Sequence, residues 1–373
     1  MKVREIRLHH VEMPLVAPFT TSFGTSKTKY TYIVEVVADT PAGRVHGWGE
    51  SVAMEAPLYS AEYLDGAAEV TRRWIAPRLF GIDDLRAESV AHHLEHLVGH
   101  PMAKAAIEMA VLDAQLRSTD TSFAAYLGVT ATSVPSGVSV GIQDSPTHMV
   151  RAVRGYVDAG YARIKLKIKP GADLGPVSAV REEFGPDLPL QVDANAAYTL
   201  VDAPHLRHLD DFNLLLIEQP LGEADIRQHA ELAALMRTPM CLDESIISAE
   251  AAADAISMRA AAVINIKPGR VGGYLQARVI HDLCRAHGIA VWCGGMLETG
   301  IGRAANAALA GMPGFTLPGD ISGSDRFYAQ DIVTEPIVMH DGVVDVPTGP
   351  GFGVDIDRDL LSHFTSEVHT LTP

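Results

Sequence analysis

The 373-residue sequence holds only three cysteines, Cys241, Cys284 and Cys293, and no C-x-x-C pair. A disulfide framework and a cysteine-built structural zinc site are therefore excluded, and a reducing, cytoplasmic setting is expected. Long apolar runs are missing as well: none reaches the ~18 residues of a membrane span. The start, MKVREIRLHHVEMPL, alternates charged and apolar residues without the apolar core of an export signal. Basic tracts are also lacking. With a formal net charge of -16, the chain would repel a phosphate backbone or an anionic membrane, so neither nucleic acid nor membrane is an expected partner. Neither a G-x-G-x-x-G after the first strand nor a phosphate-binding loop occurs, which argues against an open dinucleotide-binding sheet.

What is present is ordinary globular composition, 47 % hydrophobic and 20 % charged, in a chain long enough for a barrel and an accessory domain. From residue 136 one pattern recurs: a short apolar run, a polar or glycine-rich end, then a helix-like segment. The runs are SGVSVGI (136–142), RIKLKIK (163–169), LPLQVDAN (188–195), LLLIEQP (214–220), PMCLDES (239–245), AVINIKPG (262–269), IAVWCGG (289–295) and GFTLPGD (314–320). Segments such as SAEAAADAISMRAA and GYLQARVIHDLCRAHG between them carry helical spacing. Eight strands alternating with helices predict an α/β fold, a TIM-type (β/α)8 barrel with modified last units. Residues 1–130 lack the pattern and read as an α+β domain; 131–324 form the barrel; 325–373, with strand and turn character, are expected to pack back on the first domain.

Active groups in such barrels gather at the C-terminal ends of the strands. Runs two to six end in Lys167, Asp193, Glu218, Asp243 and Lys267, spaced 26, 25, 25 and 24 residues apart, one βα unit each time. Singly, each has a plain structural reading as a helix cap, an ion-pair partner or a surface lysine. Together they put five ionisable groups at one level of one mouth. Three converging carboxylates need a cation among them, and oxygen-only ligands point to Mg²⁺ or Mn²⁺. The chemistry this suits is removal of a proton next to a carboxylate, with the resulting enediolate stabilised electrostatically.

Alternation along RIKLKIK places Arg163, Lys165, Lys167 and Lys169 on one face, pointing at least partly into the mouth, with Ile164, Leu166 and Ile168 toward the helices. Lys165 and Lys167 would stand roughly 6.6 Å apart. At an effective dielectric near 20 their repulsion is about 2.5 kcal/mol, which lowers the pKa of Lys167 toward that of a working base. Lys165 is its electrostatic neighbour.

The motifs KLK (165–167), DAN (193–195), IEQP (217–220), LDES (242–245) and KPGRVGG (267–273) together resemble the muconate-lactonizing subgroup of the enolase superfamily. MPLVAPFTTSFGT, GWGESVAMEAPLYSAEY, VWCGGMLETGIGRAANAALA and LPGDISGSDRFY are similar to the o-succinylbenzoate synthase and N-acylamino acid (N-succinylamino acid) racemase family, over nearly the whole chain. The resemblance implies a (β/α)7β barrel under a capping domain, Mg²⁺ on Asp193, Glu218 and Asp243, and Lys167 and Lys267 as paired acid/base catalysts. It further implies a small-molecule carboxylate substrate and a homo-oligomer, dimer or octamer. Phe19, Phe23, Met54 and Tyr59 of the cap, with Ser139, Asn195, Gly295, Met296 and Leu297 of the barrel, are the implied substrate contacts. Arg270 is expected either to tune Lys267 or to form a surface salt bridge.

Two reactions fit one such site: racemisation of an N-acylamino acid, and dehydration to 2-succinylbenzoate, a step of menaquinone biosynthesis, in which Lys267 stays a cation. A dipeptide epimerase of the subgroup would carry Asp-x-Asp after the eighth strand, where this chain has Asp320, Ile321 and Ser322. A muconate-type cycloisomerase fits the loops less well, and a non-catalytic paralogue would be expected to have lost one of the five charged groups. His92 and His96, at zinc-compatible spacing, read as a solvated helix face because the H-E-x-x-H pattern is missing.

Overall fold

A computed structural model of the chain describes every residue except Phe23. Three long antiparallel strands open the fold: β1 (Lys2–Thr20), β2 (Thr25–Thr40) and β3 (Gly43–Glu50). The last strand, β14 (Thr365–Leu371), joins them, giving the order β14-β1-β2-β3. An alanine-rich helix, Pro101–Ser118, buries most of its surface against this sheet. Two glycines of β3 make that approach possible. A Cβ on Gly47 would stand 2.1 Å from the Ala110 carbonyl oxygen, and one on Gly49 would stand 2.2 Å from that of Ala106.

The second sheet holds seven parallel strands in chain order: β5 (Gly137–Val140), β6 (Arg163–Lys167), β7 (Leu190–Asp193), β8 (Ile217–Glu218), β9 (Met240–Leu242), β10 (Val263–Ile266) and β11 (Ala290–Cys293). Helices separate them. Their starts are set by side-chain caps, Ser145, Asp225 and Ser248 each accepting a backbone N–H three residues on. The helix Tyr274–His287 stops at Gly288, whose φ is 69°. A small third sheet, β12 (Met339–His340), β13 (Val343–Asp345) and β4 (Ser133–Pro135), sits where the chain enters β5.

The eighth run, GFTLPGD, makes no ladder strand. Its backbone nevertheless bonds both edges: Asp320 N–H donates to the Cys293 carbonyl (2.9 Å) and Gly137 N–H to the Gly319 carbonyl (2.7 Å). The segment thus fills the eighth position and closes the barrel without regular pairing. Pro318, which lacks an N–H, is one physical reason. The strand β6 is shorter than RIKLKIK: it ends at Lys167, and Lys169 is exposed beyond it. No helix is long and apolar enough to cross a membrane among the described residues.

Candidate active site

At the C-terminal ends of the barrel strands lies a cavity of about 260 Å³, roofed by the N-terminal domain. Lys165, Lys167 and Lys267 line it, as do Phe19, Met54, Tyr59, Ser139, Asn195, Gly295, Met296 and Leu297. Phe23 lies outside the described residues. Asp193, Glu218 and Asp243 do not line it; they lie beneath, behind the lysines they pair with, each at most 1 % exposed. All five of the regularly spaced charged groups meet here.

The floor is a dense ion network. Lys167 Nζ donates to Asp193 Oδ2 (2.6 Å) and to Asn195 Oδ1 (2.8 Å). Lys165 Nζ lies 3.1 Å from Glu218 Oε2, 3.5 Å from Asp193 Oδ2 and 2.7 Å from Asp320 Oδ2. On the far side, Lys267 Nζ donates to Asp243 Oδ2 (2.8 Å) and to the Tyr59 hydroxyl (3.0 Å). Arg270 pairs with Asp243 and donates to Tyr59 (3.0 Å) and to the carbonyls of Ile246 and Asn265. It is 2 % exposed, so the surface salt bridge expected of Arg270 is corrected to a buried one, held in place by two backbone acceptors.

The expected electrostatics change too. Lys165 was to act on Lys167 by repulsion. Burial does work against the Lys165 charge, but Asp320, Glu218 and Asp193 outweigh it and raise its pKa above the ordinary lysine range. Lys165 is thus an ion-paired member of the network and not a lone cation beside Lys167. Lys267 behaves alike: burial opposes its charge, and Asp243 raises it well above the usual value. Burial, reinforced by Asp193, pushes Glu218 up to about 7.

Among the described residues no three carboxylate, histidine or cysteine side chains are already grouped around one ion position. The donor set still fits a hard divalent cation in kind. It is all oxygen, it is buried, and single donors already bridge its members. Lys165 Nζ reaches Asp193 and Glu218, and Asn265 Nδ2 reaches Glu218 Oε1 (2.8 Å) and Asp243 Oδ1 (3.1 Å). The three carboxylates thus form a chain bridged pair by pair, Asp193 to Glu218 to Asp243, and a cation would have to draw them closer to touch all three.

Several site residues escaped the motif reading. Asn265 stands two residues before Lys267 on β10, as Lys165 stands before Lys167; the period-two rule was enough to find it. Glu244 accepts from Asn195 (2.9 Å), and burial followed by the charge of Asp243 lifts its carboxyl to about 8. Lys29 of β2, 6 % exposed, bonds the Met296 carbonyl (3.1 Å) and lines the cavity; nothing in its sequence neighbourhood marks it. Backbone strain gathers at the same level, with φ of 42° at Asn195, 60° at Ala196, 38° at Gln219 and 59° at Leu297. Gly294 is needed as such, because a Cβ there would lie 2.8 Å from Lys267 Cε. His92 and His96 are exposed and pair only with Glu95.

Residues 3–128 match the mandelate racemase / muconate lactonizing enzyme N-terminal domain family, and residues 148–360 the enolase C-terminal domain-like family. The chain belongs to the enolase superfamily. It is 59 % identical to an N-succinylamino acid racemase of Amycolatopsis sp, over 98 % of each chain. It is 43 % identical to an o-succinylbenzoate synthase of Geobacillus kaustophilus, covering 98 % of this chain and 96 % of that one. A solved enolase-superfamily structure from Listeria innocua Clip11262 superposes with a TM-score of 0.95 at 41 % identity, over 100 % of this chain and 99 % of that one. The (β/α)7β barrel with its cap is accordingly the superfamily architecture.

Proposed function

We propose that this chain racemises N-acylamino acids, N-succinylamino acids foremost, by moving the proton on the carbon next to the carboxylate. The observation that carries this reading is the placement of Lys167 and Lys267. Lys167 ends β6 and Lys267 directly follows β10, four positions apart in an eight-position closed barrel, so they face one cavity from opposite walls. One lysine, neutral, takes the α-proton; the C–H electrons pass into the carboxylate; the other, as an ammonium, delivers a proton to the opposite face. Configuration inverts, and the roles exchange for the reverse reaction.

Asp193, Glu218 and Asp243 would hold Mg²⁺, or Mn²⁺, which supplies positive charge where the substrate carboxylate gains electron density. Carboxylates that held the cation would be partly withdrawn from the lysine ammoniums they pair with here. Asp243 would then bear less on Lys267, which it raises, and a lysine beside that cation would lose its proton more readily and serve as a base. The 43 % identity to an o-succinylbenzoate synthase supports a second activity of the same site. In it, Lys167 takes the proton, hydroxide leaves and Lys267 remains an ammonium. Epimerisation of dipeptides is disfavoured because Asp320, the one acid after the eighth position, is already paired with Lys165 and with Arg163 (2.8 Å). A free substrate ammonium would find no unshared carboxylate there.

The test is α-proton exchange in D₂O, followed by NMR, with Mg²⁺ and N-succinyl-L- and D-methionine. Exchange from both enantiomers with racemisation, abolished by a chelator and restored by Mg²⁺, is the expected result. No exchange from either enantiomer with metal bound would overturn the racemase reading.

A further inference from the structure

Every lysine aimed from the barrel into the cavity rests on a carboxylate, but one arginine at its edge does not. Arg326 closes a short 3₁₀ turn, Ser324–Arg326, and lines the cavity. It is half-buried, and among the described residues no carboxylate oxygen lies within 4.0 Å of its nitrogens. Its Nε is buried and makes no hydrogen bond; Nη2 makes a long one, 3.4 Å, to the Ser139 carbonyl. The guanidinium carbon stands 5.0 Å from the Tyr156 ring centroid and 4.9 Å from that of Phe327. Aromatic faces hold the group without using its in-plane donors.

A second arginine stands close by, while the nearby Asp320 is already paired with Lys165 and Arg163. Arg303 lies 5.4 Å from the Phe327 centroid and bonds only neutral oxygens, those of Ser322 and the Glu298 carbonyl. The Ser139 hydroxyl, also on the cavity wall, is buried without a partner. Arg326 on the cavity wall, Arg303 buried behind it, neither with a carboxylate partner among the described residues, and two unpartnered polar atoms thus mark one end of the cavity. That end adjoins β5 and the eighth barrel position, across the mouth from the carboxylates of β7, β8 and the end of β9.

We propose that Arg326 receives a second carboxylate of the substrate, so that the acyl group taken here ends in a carboxylate, as a succinyl group does. The inference rests on the racemase reading for where the first carboxylate sits, over the Asp193, Glu218 and Asp243 floor. The substrate then spans the mouth from floor carboxylates to Arg326, with its α-carbon between the two lysines. A neutral acyl end leaves the guanidinium uncompensated, so the site rejects it by charge rather than by shape.

The experiment compares N-succinylmethionine with N-succinamylmethionine, in which a carboxamide of the same shape replaces the distal carboxylate, on wild type, Arg326→Met and Arg326→Lys. In wild type, kcat/KM should favour the succinyl compound on the order of tenfold to a hundredfold, chiefly through KM. Arg326→Met should bring that ratio to within about twofold of one, and Arg326→Lys should keep part of it. A wild-type ratio near one, or equal losses for both compounds in Arg326→Met, would overturn the anchor. Should the Met variant not fold, the Lys variant and the wild-type ratio still decide. Calorimetric binding of both compounds with Mg²⁺ separates the two readings. Tighter succinyl binding that depends on Arg326, but without α-proton exchange, sinks the racemase reading alone. Exchange with no succinyl preference sinks the anchor alone.

Discussion

The β6 wall and the β10 wall of the mouth each present a lysine, and they are built differently. Lys167 is held by Asp193 and Asn195, both from the barrel, and the cap touches this side through a Ser22 hydroxyl donating to the Asn195 carbonyl at 3.4 Å. Lys267 is held by Asp243 and by Tyr59, which comes from the cap, with Arg270 buried behind both. The cap reaches further on this side. A Cβ on Gly269, just after Lys267, would lie 2.4 Å from a Val52 methyl, and Glu108 accepts the first two amides of the helix that follows β10. One wall is therefore barrel structure, and the other is a joint product of two domains. Closure of the cap should bear on the half-reaction of Lys267 more than on that of Lys167.

The strongest way to break this comparison is to remove each lysine in turn. Lys167→Ala and Lys267→Ala should each lower racemisation on the order of 10³-fold, the scale of a lost general acid/base. The two should differ in residual isotope exchange. Each variant retains exchange from the enantiomer whose α-proton faces the surviving lysine, so the retained enantiomers are opposite. If both variants keep exchange from the same enantiomer, the lysines do not stand on opposite faces of the substrate.

Most of the barrel was legible because parallel strands buried on both sides write themselves as short apolar runs with a fixed repeat. The same repeat located Lys167, Asp193, Glu218, Asp243 and Lys267, since strand ends share a level. Other contributions follow no repeat. Tyr59 was named as a substrate contact, but its bonds to Lys267, Arg270 and Asp243 depend on how the cap docks, and docking leaves no local pattern. Of the two readings open for Arg270, the surface salt bridge fails because the carbonyls of Ile246 and Asn265 that bury it are 24 and 5 residues away, while its charge does work to lower Lys267. The partners of Lys165 were missed for a related reason. A pairwise estimate from strand spacing saw Lys165 and Lys167 alone, whereas the fold adds Asp320 from 155 residues downstream of Lys165.

A gentler probe is Tyr59→Phe, which keeps the ring over Lys267, 4.8 Å away, and deletes the hydroxyl shared by Lys267 and Arg270. Loss of a hydrogen bond to a charged group predicts about a tenfold slower rate. The change should fall on exchange from the enantiomer served by Lys267, measured as separate initial rates in D₂O. Equal slowing of both enantiomers would mean that the hydroxyl supports the whole cavity and not one wall.

The last probe leaves catalysis aside and tests the β10 wall through stability. Burial pushes the Glu108 carboxyl up to about 7, against the hydrogen bonds it accepts from Leu275 and Tyr274 amides. A carboxyl with a folded pKa above its unfolded value binds its proton more tightly in the folded state. Its contribution is complete below about 4.5 and is lost as pH rises through 7. Glutamine at this position cannot ionise, so Glu108→Gln should flatten the fall in stability between pH 5 and pH 8. The variant should gain on wild type by up to about 3 kcal/mol across that range, read from denaturant unfolding at each pH. A difference that stays constant with pH would show that Glu108 is ionised throughout and that its two amide bonds outweigh its burial. The joint between cap and barrel would then be a charged helix cap whose strength stays level from pH 5 to pH 8.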